Sequence, residues 1–243
     1  MHRLTISVFL SLFVAAAALG QPTADAVAQR AIDVLAGPAW DEARYFAFSF
    51  NVEREGKIVS SWAQRWDRFT GDYRVSGKNR DGDEVLVIMN INTKEGRAWK
   101  NGQEVADPKD LLTLGYRRFI NDTYWLLMGF KTFDPGVTRE YAGEKSDGSA
   151  TYDVVKLSFK DVGLTPNDVY WMWVNRETGL VDQWHMKLTG SKPEDEPSVV
   201  KFRDYKRFSG LMISTRREMD GGTAIRLDDV VVAKVAPEGA FKP

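Results

Sequence analysis

Turn signals cut the chain into short segments from Arg44 almost to its end, and this punctuation limits the fold more than any other feature. Glu55-Gly56, Gly71-Asp72, Asp81-Gly82 and Asn101-Gly102 separate segments at 44–54, 58–69, 73–77, 84–91, 97–100 and 103–105. Asn-Gly is the strongest of these, because both residues accept the positive φ of a two-residue hairpin. A second series occupies 139–144, 151–162, 168–176, 180–189, 199–208, 211–219 and 223–235. Asp147-Gly148, Thr178-Gly179, the stretch 193–197, Gly210 and Gly221-Gly222 lie between its members. Such spacing predicts an antiparallel meander.

Two stretches have helical spacing instead. In 24–36, Val27, Ala31, Val34 and Leu35 fall on one face, and Gly37-Pro38 ends the run. Asp107-Pro108 reads as an N-cap with proline at the first helical position. Leu111, Leu112, Leu114, Phe119 and Ile120 then recur every three to four residues. Asn121-Asp122 reads as a fresh cap, so 108–130 holds one long helix or two short ones. The expected fold class is mainly β (α+β). A strongly curved antiparallel sheet forms an incomplete barrel, with an N-terminal helix and a mid-chain helical lid, because a sheet of about ten strands curls rather than staying flat.

Several segments are apolar on both faces. Val169, Trp171 and Trp173 alternate with Tyr170, Met172 and Val174, and Val85, Val87 and Met89 with Leu86 and Ile88. A sheet with one solvated face alternates cleanly, so here both faces are covered or one lines a cavity. Aromatic residues make up 12% of the chain, including eight Trp. Rigid rings suit the walls of a small-molecule site. The candidate ligand-binding set is Phe46, Phe48, Trp62, Trp66, Trp171, Trp173 and Trp184, roofed by Tyr124, Trp125 and Met128. The alternative is a filled aromatic core.

Residues 1–20 carry Arg3, an apolar run and small residues at Ala18-Leu19-Gly20, the composition of a cleaved signal peptide. A second cleavage site is Ala26-Val27-Ala28. The mature chain, 21–243, is expected to be one domain without a transmembrane span. A secreted chain without cysteine points to a bacterial periplasm. The formal net charge of −1 argues against nucleic acid as a partner, which requires a basic excess.

The catalytic options are few. Without cysteine, disulfides, thiolate metal sites and cysteine nucleophiles are excluded. His185 is the one histidine beyond residue 20, it sits between Trp184 and Met186, and no Gly-x-Ser-x-Gly elbow accompanies it. Asp81-Gly82-Asp83-Glu84 and Asp228-Asp229 are the densest acids, and turn chemistry accounts for them better than a metal does. Glu194-Asp195-Glu196 reads as a solvated loop. No catalytic residue, metal ligand or cofactor is assigned. Lys201, Arg203, Lys206, Arg207, Arg216 and Arg217 are expected to decorate the outer sheet face.

Two phrases carry a family resemblance: Arg-Phe-Ile-Asn-Asp-Thr-Tyr-Trp-Leu-Leu-Met at 118–128 and Val-Tyr-Trp-Met-Trp-Val-Asn-Arg-Glu-Thr-Gly-Leu at 169–180. With the order of elements, they make the chain similar to the periplasmic lipoprotein-localisation (LolA/LolB-like) superfamily. The resemblance implies a half-barrel with a helical lid whose cavity carries lipid or lipoprotein acyl chains. It also implies an inward arginine, for which Arg65 and Arg68 are candidates. The chain lacks the lipobox cysteine of the anchored members. The expected function is a non-enzymatic periplasmic carrier of a lipid, a lipoprotein acyl chain or another amphipathic ligand. The alternatives are an envelope interaction module with a packed core and a hydrolase using paired carboxylates.

Overall fold

The computed structural model describes residues 21–160 and 164–243. The expected signal peptide therefore lies outside the described residues. Helix α1 (Ala24–Leu35) is capped by Thr23, whose Oγ1 accepts from the Ala26 N–H at 3.1 Å. It buries Val27, Ala28, Ala31 and Leu35. Val34, expected on that face, is 37% exposed. The single turn α2 (Ala39–Glu42) follows.

Six strands come next: β1 (Tyr45–Arg54), β2 (Lys57–Asp67), β3 (Asp72–Lys78), β4 (Glu84–Asn90), β5 (Gly96–Lys100) and β6 (Gln103–Glu104). Helix α3 (Lys109–Leu127) continues into a 3-10 turn, Met128–Phe130. Then come β7 (Val137–Ser146), β8 (Thr151–Phe159), β9 (Val169–Asn175), β10 (Val181–Lys187), β11 (Ser198–Phe208), β12 (Leu211–Met219) and β13 (Thr223–Ala233).

All thirteen strands form one antiparallel sheet in the order β6-β5-β4-β3-β2-β1-β13-β12-β11-β10-β9-β8-β7. The sheet is curved but open and does not close into a barrel. Two meanders thus grow in opposite directions from the central β1–β13 pair. Their free ends, β6 and β7, are consecutive in sequence yet lie on opposite edges. The connection between them must cross a face of the sheet. Helix α3 makes that crossing, and its 19 residues span ~28 Å.

Helix α3 is unbroken where a second cap was expected. Asn121 and Asp122 turn their side chains sideways instead, and Gln64 on β2 donates to the Asp122 carboxylate. The helix begins one residue later than expected, with Pro108 at the N-cap. Gly115 lets it approach β4 closely, since a Cβ there would lie 2.8 Å from Val87 Cγ1. Helix α1 is tied to the other wing by Arg30–Asp153 and Arg139–Asp25, at 2.7 and 2.6 Å.

Candidate apolar binding site

Beneath the C-terminal half of α3, facing β8, β9 and β10, lies a cavity of about 540 Å³. Six rings form its wall, Phe119 of α3 among them. Tyr124 and Trp125 descend from α3, Tyr170 and Trp184 rise from β9 and β10, and Phe159 closes the β8 side. The register explains the convergence: Met172 pairs with both Val155 and Trp184, so these three share the inner face. One step along β9, Tyr170 pairs with Met186 and Leu157 on the same face. Trp125 meets Trp184 edge-on with centroids 4.8 Å apart, and Tyr170 meets it at 4.9 Å and 88°. Such edge-to-face pairs stabilise an aromatic wall beyond its simple area.

Leu164 and Leu188 stand at the cavity rim and are about half exposed. Three charged residues also line it: Lys131, Asp134 and Asp168. Lys131 Nζ pairs with Asp134 at 2.5 Å. Asp168 is buried, and its oxygens accept from Thr165 Oγ1, Tyr170 Oη, Thr189 N and Thr189 Oγ1 at 2.7–2.8 Å. Burial raises the Asp168 pKa, but the hydrogen bonds from Thr165, Thr189 and Tyr170 outweigh it and hold the carboxyl below its usual range. Burial also raises the Tyr124 hydroxyl, and nearby Tyr170, Asp134 and Asp168 add to the rise. The Trp184 Nε1–H is buried with no partner among the described residues.

Of the ten candidate residues, Tyr124, Trp125 and Trp184 line this cavity. Phe46, Phe48, Trp62 and Trp66 face inward but lie in the packed core of the β1–β2 wing. Trp66 stacks on Phe46 at 5.6 Å and meets Phe119 of α3 edge-on at 5.1 Å, so the lid fills that side. Met128 is buried at the end of α3 beside a second void of about 10 Å³, the size of one water.

Trp171 and Trp173 are a correction. They alternate with Met172, so they stand on the outer face, where Trp173 stacks on His185 at 4.5 Å. Burial lowers the His185 pKa. Phe159, Tyr170 and Asp168 were missed. Asp168 is in step with Tyr170 and Met172, and Phe159 with Val155 and Leu157, but with both faces apolar alternation alone does not say which set is inner.

The arginine expectation also needs correction. Arg65 faces outward and donates to the Ala240 carbonyl, while Arg68 lies over Trp40 and donates to the Ala43 and Trp40 carbonyls. The inward guanidinium is Arg217, expected on the outer face. It is 2% exposed, lies over Phe202 and donates to the Ser214 carbonyl at 2.5 Å and the Leu126 carbonyl at 3.4 Å. Leu126 lies in the last turn of α3, where free carbonyls carry partial negative charge and favour a cation. Burial lowers the Arg217 pKa to about 10.

Among the described residues, no helix is long and apolar enough to cross a membrane. No protein-family model and no curated protein matches the chain. Among solved structures, it is similar to a LolA superfamily protein from Nitrosomonas europaea, with 11% identity and a TM-score of 0.53 over 92% of this chain and 99% of that one. It is also similar to a DUF1329 family protein from Desulfovibrio piger, with 12% identity and a TM-score of 0.50 over 90% and 97%. At such identities the likeness is one of architecture, and the architecture of this chain is the LolA-like fold.

Proposed function

We propose that the protein is a periplasmic, non-enzymatic carrier that holds an acyl chain of a lipid or lipoprotein in the cavity beneath α3. In this reading residues 1–20 are removed on export and 21–243 work as one unit. The observation that carries it is the cavity itself: about 540 Å³ walled by Tyr124, Trp125, Phe159, Tyr170 and Trp184. That volume lies within the usual range for small-molecule sites. Burying a dozen methylenes at ~0.8 kcal/mol each would yield roughly 10 kcal/mol gross, and ordering costs leave enough for reversible carriage.

The wall chemistry supports carriage over hydrolysis. Paired-carboxylate hydrolysis requires one carboxyl held protonated near neutral pH. Asp168 is instead held ionised, and Asp134 is paired with Lys131. The half-exposed rim at Leu164 and Leu188 gives a route of entry that leaves the sheet intact.

Native mass spectrometry of the protein purified from periplasm without detergent tests the reading. A co-purifying mass that organic solvent extracts as a lipid is the expected result. An apo mass that also fails to take up added acyl chains would overturn it and favour the packed interaction module.

A further inference from the structure

The cavity wall holds a buried anion that no cation among the described residues pairs with. Asp168 is 3% exposed, and its four donors are two threonine hydroxyls, a tyrosine hydroxyl and a backbone N–H. Satisfying a carboxylate with neutral donors fixes its charge in place without cancelling it. The one ammonium among the described lining residues, Lys131, already belongs to Asp134. The described residues of the wall therefore present two carboxylates against one ammonium.

We propose that Asp168 is a specificity-determining residue of this cavity, whose fixed charge rejects an anionic head, so that an uncharged chain such as an alkyl ester binds more tightly than the fatty acid anion of the same length. The inference rests on the carrier reading above. It concerns which chains the site accepts, not whether it accepts chains. Two like charges ~8 Å apart at an effective dielectric of ~20 repel strongly enough to change affinity by tenfold or more.

The test compares laurate with methyl laurate, which share a chain and differ in charge. Both are titrated into the protein at pH 7.5 and low salt while tryptophan fluorescence is followed. Methyl laurate is expected to bind at least about tenfold more tightly, and Asp168→Asn to reduce that ratio to below about threefold. Equal or tighter binding of laurate by the native protein would overturn the inference and leave the carrier reading standing. An unchanged ratio in folded Asp168→Asn would do the same. Should that variant not fold, Asp168→Ser takes its place, with the same ratio as the readout and the same outcomes for and against. Failure of both ligands to bind would overturn the carrier reading and this inference together.

Discussion

Gln64 on β2 donates its side-chain N–H to the Asp122 carboxylate on α3, so the helix that roofs the cavity is bolted to the sheet by a polar contact buried within the core. The contact extends both ways. Tyr73 Oη donates to Gln64 Oε1 at 2.6 Å, and Asn121 Nδ2 donates to Asp122 Oδ1 at 2.7 Å. Arg118, whose guanidinium lies over Trp62, approaches Asp122 at 3.5 Å.

This bolt makes stability depend on pH. Burial raises the Asp122 pKa to about 6, with Arg118, Asn121 and Gln64 pulling the other way. Below about pH 4 the folded and unfolded chains both hold the proton. Between ~4 and ~6 the unfolded chain, with a pKa of ~3.9, releases it while the folded chain keeps it, so stability falls as pH rises. Above that window the full cost, on the order of 3 kcal/mol, is present. Asp122→Asn removes the titration and is expected to be more stable than the native protein at pH 7.5 by about 1–3 kcal/mol. The difference should shrink toward zero at pH 4. Urea unfolding of both proteins at pH 4.0, 5.5 and 7.5 reads it, and a pH-independent difference would refute the assignment.

Trp125 and Trp184 meet edge-on in the cavity wall but differ in what they support. Trp184 is buried on β10, whereas Trp125 is half-buried on the roof. Truncating a buried Trp typically costs about 3–5 kcal/mol. Trp184→Ala is expected to approach that loss, and Trp125→Ala to cost about 1–2 kcal/mol because part of its surface is already wet. Retention of an acyl ligand should fall at least about tenfold in Trp125→Ala, since ring contact and shielding of the cavity go together. Thermal melts paired with ligand titrations separate the two effects. A Trp125→Ala protein that loses stability yet binds as before would remove this ring from the site.

The strands were legible because Gly, Asn and Asp mark the turns. Asn101 and Gly102, for example, both have the positive φ that their pairing foretold. The faces of β9 were not legible. When both faces are apolar, hydrophobicity cannot set parity, and only the register against β8 and β10 places Trp171 and Trp173 outside. Asp122 misled for a related reason. A short acid in mid-helix resembles a cap until a partner such as Gln64, 58 positions earlier, is known. Alternation would have separated Arg217 from Arg216, since adjacent strand residues take opposite faces, but a run of basic residues suggested one solvated surface.

Helix α3 sits close to the sheet because Gly115 has no side chain. An added methyl would meet Val87 Cγ1 at 2.8 Å and Val87 Cβ at 3.2 Å. Alanine gains about 1 kcal/mol of helix propensity over glycine. Overpacking against a fully buried valine costs typically 1–3 kcal/mol, so Gly115→Ala is expected to be destabilising by up to about 2 kcal/mol. Combining it with Val87→Ala refills the space from the other side. The pair is expected to be less destabilised than the sum of its parts, read as a coupling in a double-mutant cycle by urea unfolding. Strict additivity would mean that the helix shifts freely and that the contact does not set its height.

If residues 1–20 are an export signal, as proposed above, the burial of α1 favours a mature N-terminus at Gln21 over one at Gln29. Thr23 caps the helix, and Val27 and Ala28 are fully buried against the sheet. Cleavage after Ala28 would remove the cap and both buried residues, leaving Ala31 and Leu35 on a helix too short to hold its first turn. Loss of the cap alone costs about 1 kcal/mol. N-terminal sequencing of the exported protein is therefore expected to begin at Gln21. A protein engineered to begin at Gln29 is expected to be less stable than one beginning at Gln21 by about 2–4 kcal/mol, the cap and the buried Val27 contributing together. It should also lose part of the Arg30–Asp153 anchor, because Arg30 then lies in a frayed end. Equal melting temperatures for the two proteins would show that α1 before Gln29 contributes nothing to the fold, and the Ala28 site would then be the better assignment.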